Sequence, residues 1–600
     1  MSRYYPIVPL FCGLLLTGCA KLPDSYGLYQ EQPSPWAVEQ YNARLRSIES
    51  LIEAGKGNAA KQQADLINVS ELASRQQTQF NLLYAQILLS FGEAERAISK
   101  LAITETRQLA VSDKIKYFQS QAFAYSLTGN LLESAKARIA LDAFLTKPDE
   151  RKKNQGMILE TLGLLPETSV QKTPGLPEWM SIAKILASRN QDPANFNNSL
   201  AAWRVANPRH PANIYLATVA NIPEDTGETP KSIGVLLPES GPFLDVAKAI
   251  KAGFLAAHSR HNDSGGKPVL HFYDTEKAKV SDLYQLAVKE GAKLVIGPLN
   301  KDSIQGLANS TSLSTPVLAL NHVPYLSKQN LYQFALSPMD DVAEITKKAA
   351  LDGHKNALLL VPDNEQGKRI SSYFIESWQS LNGTILEKQT YDPNAADFPS
   401  TVKKLLNLDE SVGRYQKILK FIPSTNYVPH KRQDVDALFF SGYSKEGRII
   451  NSHLLQADNL PVYAMPTIYS GLPDSVNDNQ LDAITFCDIP WLFNAAYSGE
   501  LSMMALRDIW GQFPISYMRL VAMGIDAYHL AARLPTLSTR PYSGATGNLT
   551  LDSGNRIKRL LVCAKLVMGQ PELIGFNHHP PEGGYSGGSL MGGVTPAPIQ

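Results

Sequence analysis

The chain has 600 residues, too long for one domain at about 150 residues per domain. Lysine and arginine total 57 and aspartate and glutamate total 56, so the formal net charge is +1. Such a balance excludes a protein that wraps nucleic acid by bulk electrostatics. Four cysteines exclude a disulfide scaffold, and 44% hydrophobic residues suffice for large cores. The composition therefore predicts a multidomain globular protein.

The first residues, MSRYYPIVPLFCGLLLTGCAK, have the pattern of a secretory signal. Arg3 precedes an apolar run over 7–16 that is too short to span a bilayer. The run leads to Leu-Thr-Gly-Cys, which resembles the bacterial lipobox, where small residues precede a cysteine that is acylated. We expect residues 1–18 to be a lipoprotein signal peptide and Cys19 to begin a lipidated tether over 19–34. The alternative is an ordinary secretory signal with a chance cysteine.

The predicted anchor also indicates a location. More than one acyl chain gives stable membrane anchoring. The residue after the lipidated cysteine is Ala20 and not Asp, which by analogy with Gram-negative sorting implies the outer membrane, facing the periplasm. In that oxidising compartment Cys487 and Cys563 form either one disulfide or two free, buried thiols, and the sequence leaves both open.

Residues 35–221 read as consecutive helices, and three glycines within them, Gly55, Gly92 and Gly129, are each 37 residues apart. Each is followed five or six residues later by a small residue: Ala60, Ala97 and Ala135. This pattern resembles degenerate tetratricopeptide repeats, whose usual period is 34. Counting on by 37 reaches Pro166, so the repeat stops or changes there. Such stacked helix pairs form a curved surface for protein contacts, or a spacer.

A polar, turn-rich linker over 222–231 separates this half from a different pattern. Short apolar runs now alternate with amphipathic stretches, which predicts βαβ units and a mostly parallel sheet. The predicted strands are Ser232–Leu237, Val269–Tyr273, Lys293–Ile296, Pro316–Leu320, Ala357–Val361 and Val435–Phe440.

Four motifs in this half resemble the type I periplasmic binding proteins. IGVLLPESGPFLDVAKAIKAGFLAA is similar to their first strand, turn and helix, and KLVIGPLNKDSI to their third strand and loop. GIDAYHLAARL and SGATGNLTLDSGNRIKRLLVCAKL resemble their closing helix and hairpin. The resemblance implies two doubly wound lobes with a cleft between them over 232–570.

The whole arrangement, with the runs LLPESGPF, VIGPLNK and TPVLALN, resembles the LpoA family of outer-membrane lipoproteins. That resemblance implies a regulator of peptidoglycan synthesis, not an enzyme. It would bind a class A penicillin-binding protein, which is a bifunctional peptidoglycan synthase, and stimulate its transpeptidase activity. It gives no catalytic residue to transfer, and it implies no cofactor and no nucleic-acid partner.

The residues themselves offer no catalytic set. Ser-x-x-Lys occurs four times, at scattered positions, but the Lys-Thr-Gly that a penicillin-binding protein needs is absent. His-Glu-x-x-His and Cys-x-x-Cys are also missing, so neither a catalytic residue nor a metal site is predicted.

The predicted cleft is the candidate ligand site, because ligands bind beyond the carboxyl ends of strands in this fold. The candidate residues are Ser240, Gly241, Asn321, Asp363 and Ser441. In a solute-binding receptor for an amino acid or peptide, the alternative function, Ser240 would hold a carboxylate and Asp363 an amine. Otherwise these are turn residues in a cleft that binds nothing.

Two further segments stand out. Residues 409–434 interleave basic and aromatic side chains and form either a partner contact or a solvated connection. From 571 to 600 we expect a Gly/Pro-rich disordered tail, which is richest in glycine and proline from His578 onward.

Overall fold

The computed structural model describes residues 35–577 except for 171–172, 190–192, 221–228, 262–265, 311, 396–398, 423–429 and 456–459. The predicted signal peptide and the tether with Cys19 lie outside the described residues, as does the chain from 578 onward. Over the described ranges, no helix combines the length and the apolar character needed to cross a membrane.

The chain up to Ala220 is built from α-helices joined by short turns, as the sequence predicts. Their bounds are α1 (Pro35–Glu53), α2 (Gly57–Asp65), α3 (Ser74–Ser90), α4 (Ala94–Ala102), α5 (Val111–Leu127), α6 (Leu131–Asp142), α7 (Pro148–Gly163), α8 (Leu176–Ala187), α9 (Pro193–Ala206) and α10 (Asn213–Ala220). We call these helices the helical region.

The three spaced glycines end the first helix of each pair in a left-handed turn. Gly55, Gly92 and Gly129 have φ of 69°, 72° and 76°, a conformation that costs glycine no steric strain. The alanines that follow them are fully buried where the second helix packs on its neighbours: Ala60, Ala97 and Ala135. The repeat predicted from spacing is therefore confirmed in three helix pairs.

The repeat changes where the sequence indicated. Helices α3, α5 and α7 begin at Ser74, Val111 and Pro148, each 37 residues after the last. The second helix of the fourth pair would begin near 168, but a short 3-10 turn occupies Glu167–Ser169 instead. The next helix starts only at Leu176, so the regular stack ends with α7.

From Ser232 onward strands and helices alternate. The first group comprises β1 (Ser232–Leu237), α11 (Leu244–Ser259), β2 (Val269–Asp274), α12 (Val280–Lys289), β3 (Leu294–Ile296), α13 (Lys301–Ser310), β4 (Val317–Ala319) and β5 (Leu331–Gln333). The second comprises α14 (Pro338–Leu351), β6 (Asn356–Pro362), α15 (Glu365–Ser380), β7 (Thr384–Tyr391), α16 (Pro399–Leu405), α17 (Leu408–Leu419), β8 (Ala437–Phe440), α18 (Ser444–Leu455), β9 (Val462–Ala464) and β10 (Thr485–Asp488). The last comprises α19 (Arg507–Trp510), α20 (Met518–Leu530), β11 (Tyr542–Ser543), β12 (Asn548–Leu551), β13 (Ile557–Leu560), β14 (Val562–Val567) and β15 (Gln570–Phe576).

These elements form two sheets, each in its own lobe. Lobe 1 holds a parallel sheet in the order β2-β1-β3-β4-β5, and lobe 2 a mixed sheet in the order β15-β14-β10-β9-β8-β6-β7. The chain leaves lobe 1 after β5 and leaves lobe 2 after β10, so that α20 packs on α11. It then returns to lobe 2 at β14. The predicted fold class, two doubly wound lobes after a helical region, is confirmed.

Two details of lobe 2 go beyond the sequence. Cys487 and Cys563 lie opposite each other on antiparallel β10 and β14 and are joined in a disulfide. The predicted tail is wrong for residues 571–576, which form β15 against β14. Met568 and Gly569 both have positive φ, as a two-residue hairpin turn requires, so the chain continues into one more strand. The domain limits 35–221, 222–231 and 232–570 stay predictions.

The turns of the helical region contact lobe 2 directly. A Cβ added to Gly92 would lie 2.2 Å from the backbone of Asp352, and one added to Gly353 would lie 2.0 Å from the carbonyl oxygen of Phe91. The two backbones therefore touch without side chains between them. The buried ammonium group of Lys348 donates a hydrogen bond to the carbonyl oxygen of Leu127 at 3.3 Å, across the same interface.

This backbone contact makes a matched pair of substitutions informative. Gly92→Ala and Gly129→Ala share the left-handed φ, which costs about 1 kcal/mol for alanine. At Gly129 the added methyl group meets its nearest atom at 3.6 Å, an ordinary contact, whereas at Gly92 it overlaps lobe 2. We expect Gly92→Ala to lower the free energy of unfolding by about 2 kcal/mol more than Gly129→Ala in urea titrations. Equal losses would show that the helical region does not depend on this contact.

Candidate functional site

The predicted cleft residues of lobe 1 lie in loops that follow strands. Ser240 is exposed after β1, and Gly241 has a φ of 74° with space toward the Glu276 carboxylate. Asn321 follows β4, and its amide nitrogen donates to the carbonyl oxygen of Leu299 at 3.0 Å. Its amide oxygen accepts from the backbone N–H of His322 at 2.9 Å. The Asn321 side chain thus holds two loops together.

The predicted cleft residues of lobe 2 follow β6 and β8. Asp363 is exposed, and its backbone N–H donates to the carbonyl oxygen of Tyr391 at 2.8 Å. Ser441 is 4% exposed, and its carbonyl oxygen accepts from the Tyr391 hydroxyl group at 3.0 Å. Tyr391 therefore fixes both loops at the carboxyl edge of the sheet.

The structure places all five candidates at carboxyl ends of strands but does not join them into one site. Among them, no hydrogen bond links any two, within or between the lobes. A cavity of about 190 Å³ lies against α11 in lobe 1; its lining includes Leu237, Glu239 and Lys251 but none of the five candidates. Typical small-molecule pockets measure roughly 300–1,000 Å³. Ligand binding by the five candidates stays a prediction.

A cluster of buried charges lies where the chain crosses between the lobes. Arg559 on β13 donates to Asp341 at 2.8 Å and to the carbonyl oxygen of Ser337 at 3.1 Å, both at the start of α14. Arg559 also lies 3.4 Å from the Asp340 carboxylate, which pairs with Arg556. These ion pairs fasten the β12–β13 hairpin to the first helix of lobe 2. We call these four charged residues the hinge cluster.

Burial sets the electrostatics of the hinge cluster. It raises the pKa of Asp341 to about 6, although the Arg559 guanidinium opposes this shift. Burial alone would lower the pKa of Arg559, but the two carboxylates outweigh it and raise that pKa. Both groups are therefore charged at pH 7, and each compensates the other's lost hydration. The neighbouring His322 stays neutral because burial and the charge of Arg556 lower its pKa to about 4.

A second buried pair lies at another crossing. Arg519 on α20 donates to Asp488 at the end of β10, and also to the carbonyl oxygen of Tyr469 at 2.9 Å. Sequence reasoning missed both ion-pair groups. A signal was present in Asp340-Asp341 within Ser-Pro-Met-Asp-Asp at a helix start, and in two arginines three residues apart within the hairpin. Nothing local says that these segments, over 200 residues apart, meet.

The basic, aromatic segment at 409–434 is described in part. Its first half is helix α17, which buries little of its surface beyond Ser411. Ile418 is 45% exposed and Phe421 is 85% exposed, next to Lys417 and Lys420. The end of the segment is structural, because Arg432 pairs with Glu387 on β7 at 2.6 Å. Its role as a partner contact stays a prediction.

The hinge cluster predicts a large effect from one substitution. Arg559→Met leaves the Asp341 carboxylate buried without its partner, which costs about 3–5 kcal/mol. Adding Asp341→Asn removes that charge, so the double variant should recover part of the loss in a urea-unfolding cycle. Arg414→Met, which breaks an exposed pair with Glu410, is the control and should cost about 0.5 kcal/mol or less. Equal losses for the single and double variants would contradict the assigned pairing.

The chain is similar to solved structures of LpoA. Full-length LpoA from Haemophilus influenzae is 23% identical, with a TM-score of 0.45, and the alignment covers 90% of this chain and 96% of that one. The C-domain of LpoA (YraM) from the same organism, described as a regulator of PBP1A, is 24% identical with a TM-score of 0.45. That alignment covers 57% of this chain and 99% of the C-domain.

Curated relatives match nearly the whole length. The penicillin-binding protein activator LpoA of Aliivibrio fischeri is 26% identical over 583 residues, which is 92% of this chain and 96% of the relative. The protein of that name from Photobacterium profundum is 24% identical over 541 residues, 87% of each chain. The sequence model of the LppC putative lipoprotein family matches residues 28–569. The chain belongs to the LppC lipoprotein family.

Proposed function

We propose that this protein is a lipid-anchored activator of a class A penicillin-binding protein. The observation that carries the proposal is the near-complete alignment with relatives named penicillin-binding protein activator LpoA. Such a partner is a bifunctional peptidoglycan synthase, and the activity raised would be its transpeptidase activity. The protein acts as a regulator and not as a catalyst.

The anchor belongs to the same proposal. The LppC family match supports a lipoprotein, and Cys19 is the residue that would carry the acyl chains. Ala20 in the following position supports the outer membrane over the inner one. The protein would extend from the periplasmic face of the outer membrane toward a synthase held in the inner membrane.

Activation requires a preference for one state of the synthase. A partner shifts a conformational equilibrium only by the difference between its affinities for the two states. A tenfold rise in the active population therefore needs about 1.4 kcal/mol of preferential binding. A rigid activator delivers that preference well, because little of its binding energy is lost in ordering itself. The helical region joined to lobe 2 and the buried hinge cluster both supply rigidity.

Helix α17 is the surface on which we place the synthase. Its last turn exposes Ile418 beside Lys417, and the exposed Lys420 and Phe421 follow directly after the helix. Aromatic residues are enriched at protein interfaces relative to the rest of the surface. The positive charge of Lys417 and Lys420 is complementary to an acidic surface on the partner.

The first test measures cross-linking directly. Lipid-free protein starting at Lys21 is mixed with each class A synthase of the source organism and with lipid-linked precursor, and cross-linked muropeptides are quantified. We expect cross-linking to rise with one synthase. No rise with any synthase at concentrations well above micromolar would refute the proposed function. A thermal-shift screen of amino acids and peptides would then test the solute-receptor alternative.

The second test uses surface variants in the same assay. Ile418→Ser with Phe421→Ser should raise the concentration needed for half-maximal stimulation by about tenfold, because interface aromatics often contribute over 1 kcal/mol. Val476→Ser is the matched control, since Val476 is 82% exposed elsewhere in lobe 2. Equal activity of the double variant and the control would exclude α17 as the docking surface while leaving the activator function intact.

A further inference from the structure

The helical region has two distinct ends, and one of them carries exposed apolar side chains. The turn glycines mark one end, where Gly92 contacts lobe 2. The other end holds the start of α1, the loops that follow α2 and α4, and the starts of α3 and α5. Because α3 has 17 residues, the two ends lie about 25 Å apart. We call the second end the distal end.

Hydrogen bonds hold the distal end together. Gln76, near the start of α3, donates to the carbonyl oxygen of Val38 in α1 at 2.7 Å. Ser74 at the start of α3 bonds to Gln108 at 3.3 Å, in the loop that precedes α5. The first turn of α1 and the loops between repeats therefore share one surface. The chain that precedes Pro35 joins the structure at this surface.

The exposed apolar side chains cluster there. Six large apolar side chains of the helical region are strongly exposed among its described residues, and four of them belong to the distal end. The four are Leu66 (78% exposed), Val69 (39%), Ile103 (62%) and Val111 (59%). Leu66 and Ile103 are 37 residues apart and cap α2 and α4, so they occupy equivalent places in successive repeats. Leu66 and Ile103 therefore form an apolar row along the edge of the helical stack. We call these two side chains the distal row.

We propose that the distal row rests in the interface of the lipid bilayer to which the chain is anchored. The inference rests on the proposed lipidation of Cys19. Only 15 residues, 20–34, separate that cysteine from Pro35, and this stretch reaches at most about 55 Å. The anchor therefore keeps the distal end within about 55 Å of the membrane, and lobe 2 contacts the opposite end of the helical region. Contact by the distal row orients the helices away from the bilayer.

The charges at the distal end favour contact with the apolar interface over attraction to anionic headgroups. Residues 65–75 and 102–114 contain Arg75, Arg107 and Lys114 against Asp65, Glu71, Glu105 and Asp113, a formal sum of −1. A polybasic surface, by contrast, gains about 1 kcal/mol per Lys or Arg from anionic lipid. Membrane contact of the distal row should therefore be insensitive to salt and should not require anionic lipid.

The test places a fluorophore at one end or the other of the helical region. Lipidated full-length protein is reconstituted in zwitterionic vesicles containing lipid brominated on its acyl chains. A nitrobenzoxadiazole label is attached at Ser70→Cys, at the distal end, or at Lys56→Cys, at the glycine-turn end. Both positions are exposed, and the pair Cys487–Cys563 is already disulfide-bonded. We expect quenching at position 70 and none at position 56, unchanged between low and high salt.

Variants then assign the effect to the row. Leu66→Ser with Ile103→Ser should reduce quenching at position 70, and should weaken vesicle partitioning of the lipid-free chain about tenfold. Val205→Ser, at a residue 82% exposed elsewhere in the helical region, should change neither. Equal or absent quenching at the two label positions in protein that floats with vesicles would overturn the inference.

Two other outcomes of this experiment have a different meaning. If the protein does not float with the vesicles, Cys19 is not its anchor. A hexahistidine tag before Lys21 on nickel-chelating lipid then supplies an equivalent tether. The same comparison of quenching at positions 70 and 56 then tests whether the distal row contacts the bilayer. If the Leu66/Ile103 double variant loses stimulation of the synthase in detergent, without vesicles, the distal row is a protein contact and the inference is wrong. Loss of membrane contact with stimulation in detergent retained would support it and leave the proposed activator function untouched.

Discussion

The close approach of two glycine-containing turns is the constraint on which the arrangement of this molecule depends. At Gly92 the helical stack ends in a left-handed turn, and at Gly353 lobe 2 does the same, with φ of 72° and 89°. Neither position has room for a Cβ atom, so backbone meets backbone. Lys348 adds a buried charge that is neutralised by Asp352 and bonded to a helix-end carbonyl group. The direction in which the helices leave lobe 2 is thereby fixed locally.

The hinge cluster restricts the two lobes in a similar way. In a binding-protein fold the lobes close by bending where the chain crosses between them. Here Arg559 joins one crossing to the first helix of lobe 2, and Arg519 holds another crossing through Asp488. Bending would expose or separate buried charges, each of which needs its partner. A fold that is a moving clamp in solute receptors is thus suited to act as a fixed scaffold here.

Local pattern predicted most of the elements, and long-range contacts account for what it missed. The strand at Ser232–Leu237 and the spacing of the turn glycines follow from apolar periodicity and from the conformational freedom of glycine. The disulfide needed the register of β10 against β14, and the hinge cluster needed segments over 200 residues apart to meet. The segment that forms β15 is predicted as tail from its sequence, because it contains a proline and a glycine and its apolar and polar residues alternate only weakly. The candidate cleft residues lie at strand ends, but position alone does not say whether their side chains converge on a ligand.

Rigidity at both junctions fixes the orientation of the helical region relative to the two lobes, which matters for the proposed activator anchored in one membrane and acting toward another. An anchor alone restricts distance, since a tether of 16 residues allows every orientation within its reach. Because the contacts at Gly92 and in the hinge cluster are fixed, the orientation of the helices also sets the orientation of both lobes. If the proposed bilayer contact forms, a weak apolar contact at Leu66 and Ile103 suffices to bias the whole molecule, because a lipid anchor at Cys19 would already remove most of the entropy cost of meeting the bilayer. In that arrangement the helical repeats hold the distal row and lobe 2 at a fixed distance and orientation.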